Sequence, residues 1–90
     1  MKKSNKTIWI TGASSGIGRS LALVYGQDPV NLILSARNEG KLQDVKKEIA
    51  NPERIHVLPL DLNQTDSFPE IVKEAWARFN GIDIMIHNGG

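Results

Sequence analysis

The sequence predicts an α/β fold, a doubly wound parallel β-sheet, and three observations indicate it. Four short apolar segments alternate with three segments whose apolar residues recur at helical spacing. One apolar segment, Leu32-Ile33-Leu34, shows no polar alternation, as expected of a parallel strand covered on both faces. A glycine-rich turn joins the first strand to the first helix. Such an alternation produces parallel strands joined by right-handed crossovers.

In the first half of the chain, turn and cap residues set the limits of each element. The predicted elements are a strand over Thr7–Thr11, a helix over Gly16–Tyr25, a strand over Asn31–Ser35 and a helix from Asn38 to before Asn51. Gly26 ends the first helix, and Asn38 is a candidate N-cap of the second. Lys41 and its charged neighbours should form the solvated face of that second helix. The helical pattern of the first helix is marked by Ile17, Leu21 and Val24, and the apolar stripe of the second helix is Leu42, Val45 and Ile49.

The second half of the chain is predicted to hold strands over residues 54–60 and 83–87, with a helix between them. Ser67 and Glu70 fit a capping box with Pro69 in the first turn, and Asn80-Gly81 ends the helix. Pro59 has no N–H, so the third strand should lie at the sheet edge or end there. The aromatic residues on apolar patterns, which we expect in the core, are Trp9, Trp76 and Phe79.

A doubly wound sheet of this kind has the strand order 3-2-1-4. Helices one and two then cover one face, and helix three lies alone on the other. The fourth strand is left as an uncovered edge, and exposed apolar edges aggregate or recruit a partner. We therefore expect residues 1–90 to be the front half of a single Rossmann-type domain, a partial fold of order βαβαβαβ that behaves poorly in isolation.

Composition and charge narrow the possible partners. The 90 residues carry a formal net charge of +1, which is too balanced to indicate nucleic acid or a membrane surface. We interpret Lys2, Lys3 and Lys6 as a solvated terminus. The sequence has no cysteine, hence no disulfide framework or cysteine-based metal site, and we assign no metal ligands. No apolar run approaches the roughly 20 residues of a membrane span, so the expected location is the cytoplasm.

The glycine-rich turn is the most informative feature of the chain. A turn between a strand and a helix can place a phosphate at the helix N-terminus, where free N–H groups and the helix dipole favour an anion. Gly12 can take a positive φ, Gly16 lets a pyrophosphate approach the backbone, and Gly18 lets the helix lie close to the sheet. Ser14 and Ser15 can bind phosphate or cap the helix. The alternative is a tight loop without a ligand.

The motif Thr11-Gly12-x-x-x-Gly16-x-Gly18 resembles that of the short-chain dehydrogenase/reductase family, over about residues 7–90. Ala36-Arg37 ends the second strand, and Asp61-Leu62 follows the third, in the family's order. Asn88-Gly89-Gly90 follows the fourth strand, where the family usually shows Asn-Asn-Ala-Gly. His87 replaces the first Asn of that motif, and Gly89 replaces its Ala. Neither change removes the backbone groups that line the site.

The resemblance implies an adenine dinucleotide site. In the family, an Asp at the position of Asp61 accepts a hydrogen bond from the adenine amino group, and the backbone of the next residue, Leu62, contacts the ring. The alternatives are that Asp61 only caps a loop and that Asn88-Gly89-Gly90 only forms a turn. The predicted cofactor-binding residues are Gly12, Ser14, Ser15, Gly16, Ile17, Gly18, Arg37, Asn38, Asp61, Leu62, Asn88, Gly89 and Gly90.

The end of the second strand predicts NADP(H) rather than NAD(H). A carboxylate there would bind the ribose 2′-hydroxyl of NAD, whereas arginine accommodates the 2′-phosphate of NADP. Ala36 stands where the carboxylate would be, and Arg37 follows it. Ser35 and Asn38 could add hydrogen bonds. The alternative is that Arg37 is a solvated loop residue.

The resemblance therefore implies an NADP(H)-dependent oxidoreductase that interconverts a carbonyl and an alcohol of a small molecule and forms a homo-oligomer at full length. The family's catalytic Ser and Tyr-x-x-x-Lys pair come later in the sequence, so we assign no catalytic residue and expect residues 1–90 alone to be inactive. Tyr25 has no lysine at that spacing, and His56 and His87 are interpreted as structural. The alternatives are a non-catalytic dinucleotide sensor and an epimerase-type relative; the latter usually has a shifted glycine spacing.

Overall fold

The computed structural model describes residues 5–49, 51–61, 66 and 68–88. Within those residues the strands are β1 (Thr7–Thr11), β2 (Asn31–Ser35), β3 (Ile55–Val57) and β4 (Ile84–His87). The α-helices are α1 (Gly16–Tyr25), α2 (Glu39–Lys47) and α3 (Phe68–Arg78), and a short 3₁₀ helix over Pro52–Arg54 precedes β3. The predicted alternation of strands and helices is confirmed. The predicted cap Ser67 lies outside the described residues.

The four described strands form one parallel sheet in the predicted order, β3-β2-β1-β4. Ile8 and Ile10 on β1 belong to a core cluster with residues of α1 and α2, including Ala22 and Leu42. Trp9, between them, belongs to a second cluster that contains Ala75 of α3. Alternate residues of a strand point to opposite faces, so α1 and α2 cover one face and α3 the other, as predicted.

β3 is shorter than the predicted strand over residues 54–60. After Val57 the chain still runs beside β2: the N–H of Leu58 donates to the Leu34 carbonyl at 2.9 Å. The N–H of Leu60 donates likewise to the Ala36 carbonyl at 3.0 Å. Pro59 between them is exposed and has no N–H to offer a further strand. The third strand therefore lies at the edge of the described sheet and ends near Pro59, as the proline predicts.

Two of the three apolar residues that mark the helical pattern of α1 are exposed. Ile17 and Val24 are 71% and 60% exposed, whereas Gly18 and Ala22 are buried. A Cβ at Gly18 would overlap the carbonyl oxygen of Gly12, so the helix lies against the preceding turn through its smallest side chains. Close approach through small residues turns the larger ones outward.

The fourth strand and the third helix leave apolar surface exposed. Trp76 is 58% exposed, so its predicted core position is wrong. The neighbouring residue Ala75 is the one by which α3 packs into the core cluster of Trp9. Ile84 and Met85 on β4 are 39% and 48% exposed, as expected of an uncovered strand. In the described part of the chain, no helix is both long and apolar enough to cross a membrane.

Candidate cofactor-binding site

A cleft of about 1060 Å³ opens at the carboxyl ends of the strands. All the described strands are parallel, so these ends share one edge of the sheet, where open α/β folds bind their ligands. The cleft is lined by Thr11, Gly12, Ser14, Ser15, Gly16, Ile17, Ser35, Ala36, Arg37, Asn38, Glu39, Lys41, Leu60, Asp61 and Asn88. The glycine-rich turn, the start of α2 and the segments after β3 and β4 therefore meet around one space.

The glycine-rich turn needs glycine for two separate reasons. Gly12 and Gly16 have φ angles of +65° and +58°, a region that side-chain-bearing residues rarely adopt. A Cβ at Gly12 would also overlap the carbonyl oxygen of Asn88, whereas a Cβ at Gly16 would meet no described atom within 4 Å. Gly12 is thus packed against protein, and Gly16 presents bare backbone to the cleft.

The N-terminus of α1 has an unused cap residue. Ser15 occupies the N-cap position in an extended conformation, and its side chain makes no capping hydrogen bond. No acidic residue lies in the first turn of the helix. The first N–H groups of a helix have no intrahelical partner, and the helix dipole is positive there. This end of the cleft is therefore suited to an anion, with the Ser15 hydroxyl available to it.

Another part of the cleft is lined by the segment between β2 and α2. Asn38 is the N-cap of α2, as predicted, and its Oδ1 accepts a hydrogen bond from the Lys41 N–H at 3.0 Å. Arg37 precedes this cap and is exposed. Ser35 is buried, and its hydroxyl accepts a hydrogen bond from Trp9 Nε1 at 2.8 Å. The Ser35 hydroxyl thus serves the core as well as lying beside the cleft.

Asn88 joins the end of β4 to the glycine-rich turn. Its N–H donates to Thr11 Oγ1 at 3.1 Å, and its side-chain Nδ2 donates to the Gly12 carbonyl at 3.4 Å. His87 Nδ1 lies 2.9 Å from the same Thr11 Oγ1. His56 lies elsewhere, with Nε2 3.2 Å from Glu74 Oε2 on α3. Each histidine side chain therefore contacts a neighbouring secondary-structure element.

The structure brings most of the predicted site residues together. Gly12, Ser14, Ser15, Gly16, Ile17, Arg37, Asn38, Asp61 and Asn88 line the cleft. Gly18 does not line it; it packs under the turn against Gly12, in keeping with its expected packing role. Leu62, Gly89 and Gly90 lie outside the described residues. Within the part of the chain that the structure describes, no group of three or more histidine, aspartate or glutamate side chains is placed to hold a metal ion.

Sequence reasoning missed several cleft residues, above all Lys41. We expected Lys41 on the solvated face of the second helix, yet it lines the cleft together with Thr11, Glu39 and Leu60. The signal was its place in the first turn of a helix that follows a strand. The start of such a helix lies at the carboxyl edge of the sheet, where the ligand site of an open α/β fold is found.

Comparisons with known proteins agree with this architecture. The family model described as short chain dehydrogenase matches residues 6–90. A Drosophila melanogaster relative, dehydrogenase/reductase SDR family protein 7-like, is 45% identical over 94% of this chain and 28% of its own length. NADP-dependent 3-hydroxy acid dehydrogenase from Schizosaccharomyces pombe is 41% identical over 94% of this chain and 34% of its own length.

Solved structures give the same result. A short chain dehydrogenase from Bacillus anthracis superimposes with a TM-score of 0.86 at 30% identity, covering 94% of this chain and 35% of that one. An alcohol dehydrogenase from Thermococcus sibiricus, complexed with 5-hydroxy-NADP, gives a TM-score of 0.81 at 30% identity, covering 91% and 36%. The chain belongs to the short-chain dehydrogenase family, a family of oxidoreductases. It spans about a third of the length of the relatives it matches.

Proposed function

We propose that the full-length protein is an NADP(H)-dependent oxidoreductase that interconverts a carbonyl and an alcohol on a small molecule. These 90 residues form the cofactor-binding front half of its single Rossmann-type domain. The observation that carries the proposal is the cleft itself: a helix N-terminus with an unused cap lines the same cleft as Arg37, with Ala36 in place of a carboxylate. The NADP-related names of two similar proteins support the same cofactor.

Each wall of the cleft fits one part of this cofactor. The backbone of Gly16 and the hydroxyl of Ser15 would hold the pyrophosphate, and Arg37 would pair with the 2′-phosphate as a planar fork. Asp61, half-buried at the cleft, would accept a hydrogen bond from the adenine amino group. Asn88 would lie beneath a ribose. When bound, NADP(H) supplies a hydride donor or acceptor.

The second candidate is a non-catalytic dinucleotide sensor on the same fold. It requires the same cleft but no acid–base residues, and the cleft residues alone favour neither candidate. A Tyr-x-x-x-Lys pair in the full-length sequence, together with NADPH oxidation in the presence of carbonyl compounds, would support the enzyme. Tight NADPH binding without turnover on a broad carbonyl panel would support the sensor. The expected cytoplasmic location and homo-oligomeric state also remain proposals for the full-length protein.

The cofactor preference is tested by measuring the dissociation constants of NADPH and NADH with the full-length protein. Arg37→Ala should weaken NADPH about tenfold and leave NADH nearly unchanged, because a charge-assisted contact to the 2′-phosphate is lost. Ala36→Asp should shift the preference towards NADH by repelling that phosphate. Lys47→Ala removes a positive charge from α2 outside the cleft and is the matched control. An unchanged preference in Arg37→Ala would refute the assignment of NADP(H).

A further inference from the structure

Two cations line the cleft beside the start of α2. Arg37 lies one residue before the cap, Lys41 lies in the first turn, and both side chains are exposed. Elsewhere in the described residues, Arg19 pairs with Glu48 and His56 with Glu74. Neither Arg37 nor Lys41 has an ion-pair partner among the described residues. Unpaired cations on the wall of a concave site attract an anion from solution.

Lys41 is held in this position by the helix cap. Its N–H donates to Asn38 Oδ1 at 3.0 Å, which ties its backbone to the residue that follows Arg37. Gly40 adds to the tightness of this turn, since a Cβ there would lie 3.3 Å from the same Oδ1. The backbone of Lys41 is therefore fixed at the cleft wall, and its long side chain is free to meet a ligand.

The charge balance of the cleft shows why one arginine is insufficient. The residues of the glycine-rich turn, 12–18, carry no charged side chain. The carboxylates of Glu39 and Asp61 also line the cleft and outnumber Arg37. Lys41 brings the charged side chains of the lining to two cations and two carboxylates. Without Lys41, a phosphate would meet one cation and two carboxylates.

We propose that Lys41 is a second cation for the 2′-phosphate of the cofactor and a determinant of the preference for NADP(H). This inference rests on the proposed function and adds a residue to it. Arg37 supplies a planar fork with several N–H donors, and Lys41 supplies a compact point charge on a flexible stem. The two modes of contact are compatible, since a phosphate monoester offers three acceptor oxygens and up to two negative charges at neutral pH.

The test uses two fragments of the cofactor that differ only in the phosphate in question. Binding of adenosine 2′,5′-bisphosphate and of 5′-AMP to the full-length protein is measured by calorimetry. Lys41→Gln should weaken the bisphosphate about tenfold and leave 5′-AMP unchanged. Lys41→Arg should retain most of the affinity for the bisphosphate. Glu39→Gln should strengthen it by relieving repulsion, and Lys47→Gln, on the same helix outside the cleft, should change neither ligand.

The outcomes separate this inference from the proposed function. If the unaltered protein binds both ligands equally, the NADP(H) preference is wrong and the role of Lys41 falls with it. If Arg37→Ala abolishes the preference but Lys41→Gln keeps it, only the role of Lys41 is refuted. A Lys41→Gln variant that loses both ligands equally also refutes it, because the loss is then not specific to the 2′-phosphate. Retained 5′-AMP binding shows that each variant is folded.

Discussion

The side chains of Thr11 and His87 meet across the β1–β4 pair, with Oγ1 2.9 Å from Nδ1. The same Thr11 oxygen accepts a hydrogen bond from the Asn88 N–H at 3.1 Å. In the tautomer that carries the ring proton on Nε2, His87 Nδ1 accepts a hydrogen bond from the Thr11 hydroxyl. One buried hydroxyl thus joins the carboxyl end of β4 to the glycine-rich turn that it precedes.

We predict that Thr11→Val destabilises the full-length protein and weakens cofactor binding. Valine keeps the shape of the side chain but leaves the Asn88 N–H and the His87 ring nitrogen without their partner. The expected loss in the free energy of unfolding is about 1–2 kcal/mol, measured by urea denaturation. Affinity for NADPH should fall as well, because Asn88 no longer holds its place beside Gly12.

The control for this prediction is Thr7→Val at the other end of the same strand. Thr7 is equally buried, but its hydroxyl makes only a long contact of 3.5 Å with Asn31 Nδ2. His87→Asn should behave like the unaltered protein, because an atom bonded to Cγ can still reach Thr11, whereas His87→Leu should not. Equal effects of Thr7→Val and Thr11→Val would contradict the proposed link.

The alternation of strands and helices could be predicted from sequence because it depends on local patterns. Continuous apolar strands such as Leu32-Ile33-Leu34 and caps such as Asn38 act within a few residues. The exposed face of α1 could not be predicted this way. Ile17 lies outward because Gly18 docks against Gly12, a contact that exists only in the folded chain.

The same distinction holds for the cleft. Its glycines and Arg37 are recognisable because each stands in a motif at a strand end. Lys41 belongs to no such motif, and in the sequence it is one of several charged residues on a helix. Only the sheet order and the cap at Asn38 bring it to the edge where the glycine-rich turn lies. Its assignment therefore required the three-dimensional arrangement.

Two alanine substitutions should separate packing from ligand contact within the glycine-rich turn. A Cβ at Gly18 would lie 2.7 Å from the Gly12 carbonyl carbon and 2.9 Å from Asn88 Nδ2, so Gly18→Ala forces the helix and turn apart. We expect a loss of stability of about 1–3 kcal/mol, read as a lower Tm. A Cβ at Gly16 has open space around it, so Gly16→Ala should lower the free energy of unfolding only through its positive φ, by about 1–2 kcal/mol.

The loss of NADPH affinity relative to the loss of Tm distinguishes the two variants. Gly16→Ala should lose more NADPH affinity than its change in Tm would account for, because its Cβ stands where the pyrophosphate would approach. Gly18→Ala should lower the Tm more than Gly16→Ala for a given loss of affinity, because its Cβ acts first on the packing of α1 against the turn. An unaltered NADPH affinity in Gly16→Ala would show that the cofactor does not approach the backbone at this point.

The buried hydrogen bond between Trp9 and Ser35 should show strong energetic coupling. The indole Nε1 donates to the Ser35 hydroxyl at 2.8 Å, and both residues are almost fully buried. Ser35→Ala leaves this N–H without a partner, at a cost of about 1–3 kcal/mol. In a Trp9→Phe background the N–H is absent, so Ser35→Ala should cost much less. Urea denaturation of the four proteins of this double-mutant cycle measures the coupling.

Two results bear on the interpretation of this cycle. Ser20→Ala, at an exposed position on α1, is the control for serine replacement and should be close to neutral. Additive losses in the cycle would mean that the hydrogen bond contributes nothing beyond the packing of its two side chains. The contact between Trp9 and Ser35 would then stabilise the β1–β2 pair through packing alone.

The exposed apolar residues of β4 predict how residues 1–90 behave when they are produced alone. Ile84 and Met85 lie on a strand with no outer partner in the described sheet, and such edges self-associate. We expect oligomers by light scattering, reduced by Met85→Lys but not by Gln27→Lys, which adds the same charge on an exposed turn. In the full-length protein, Met85→Lys should instead lower the Tm, because later segments are proposed to cover β4. A monomer with sharp, reversible unfolding from residues 1–90 would contradict both expectations, since the segment would then need no further cover.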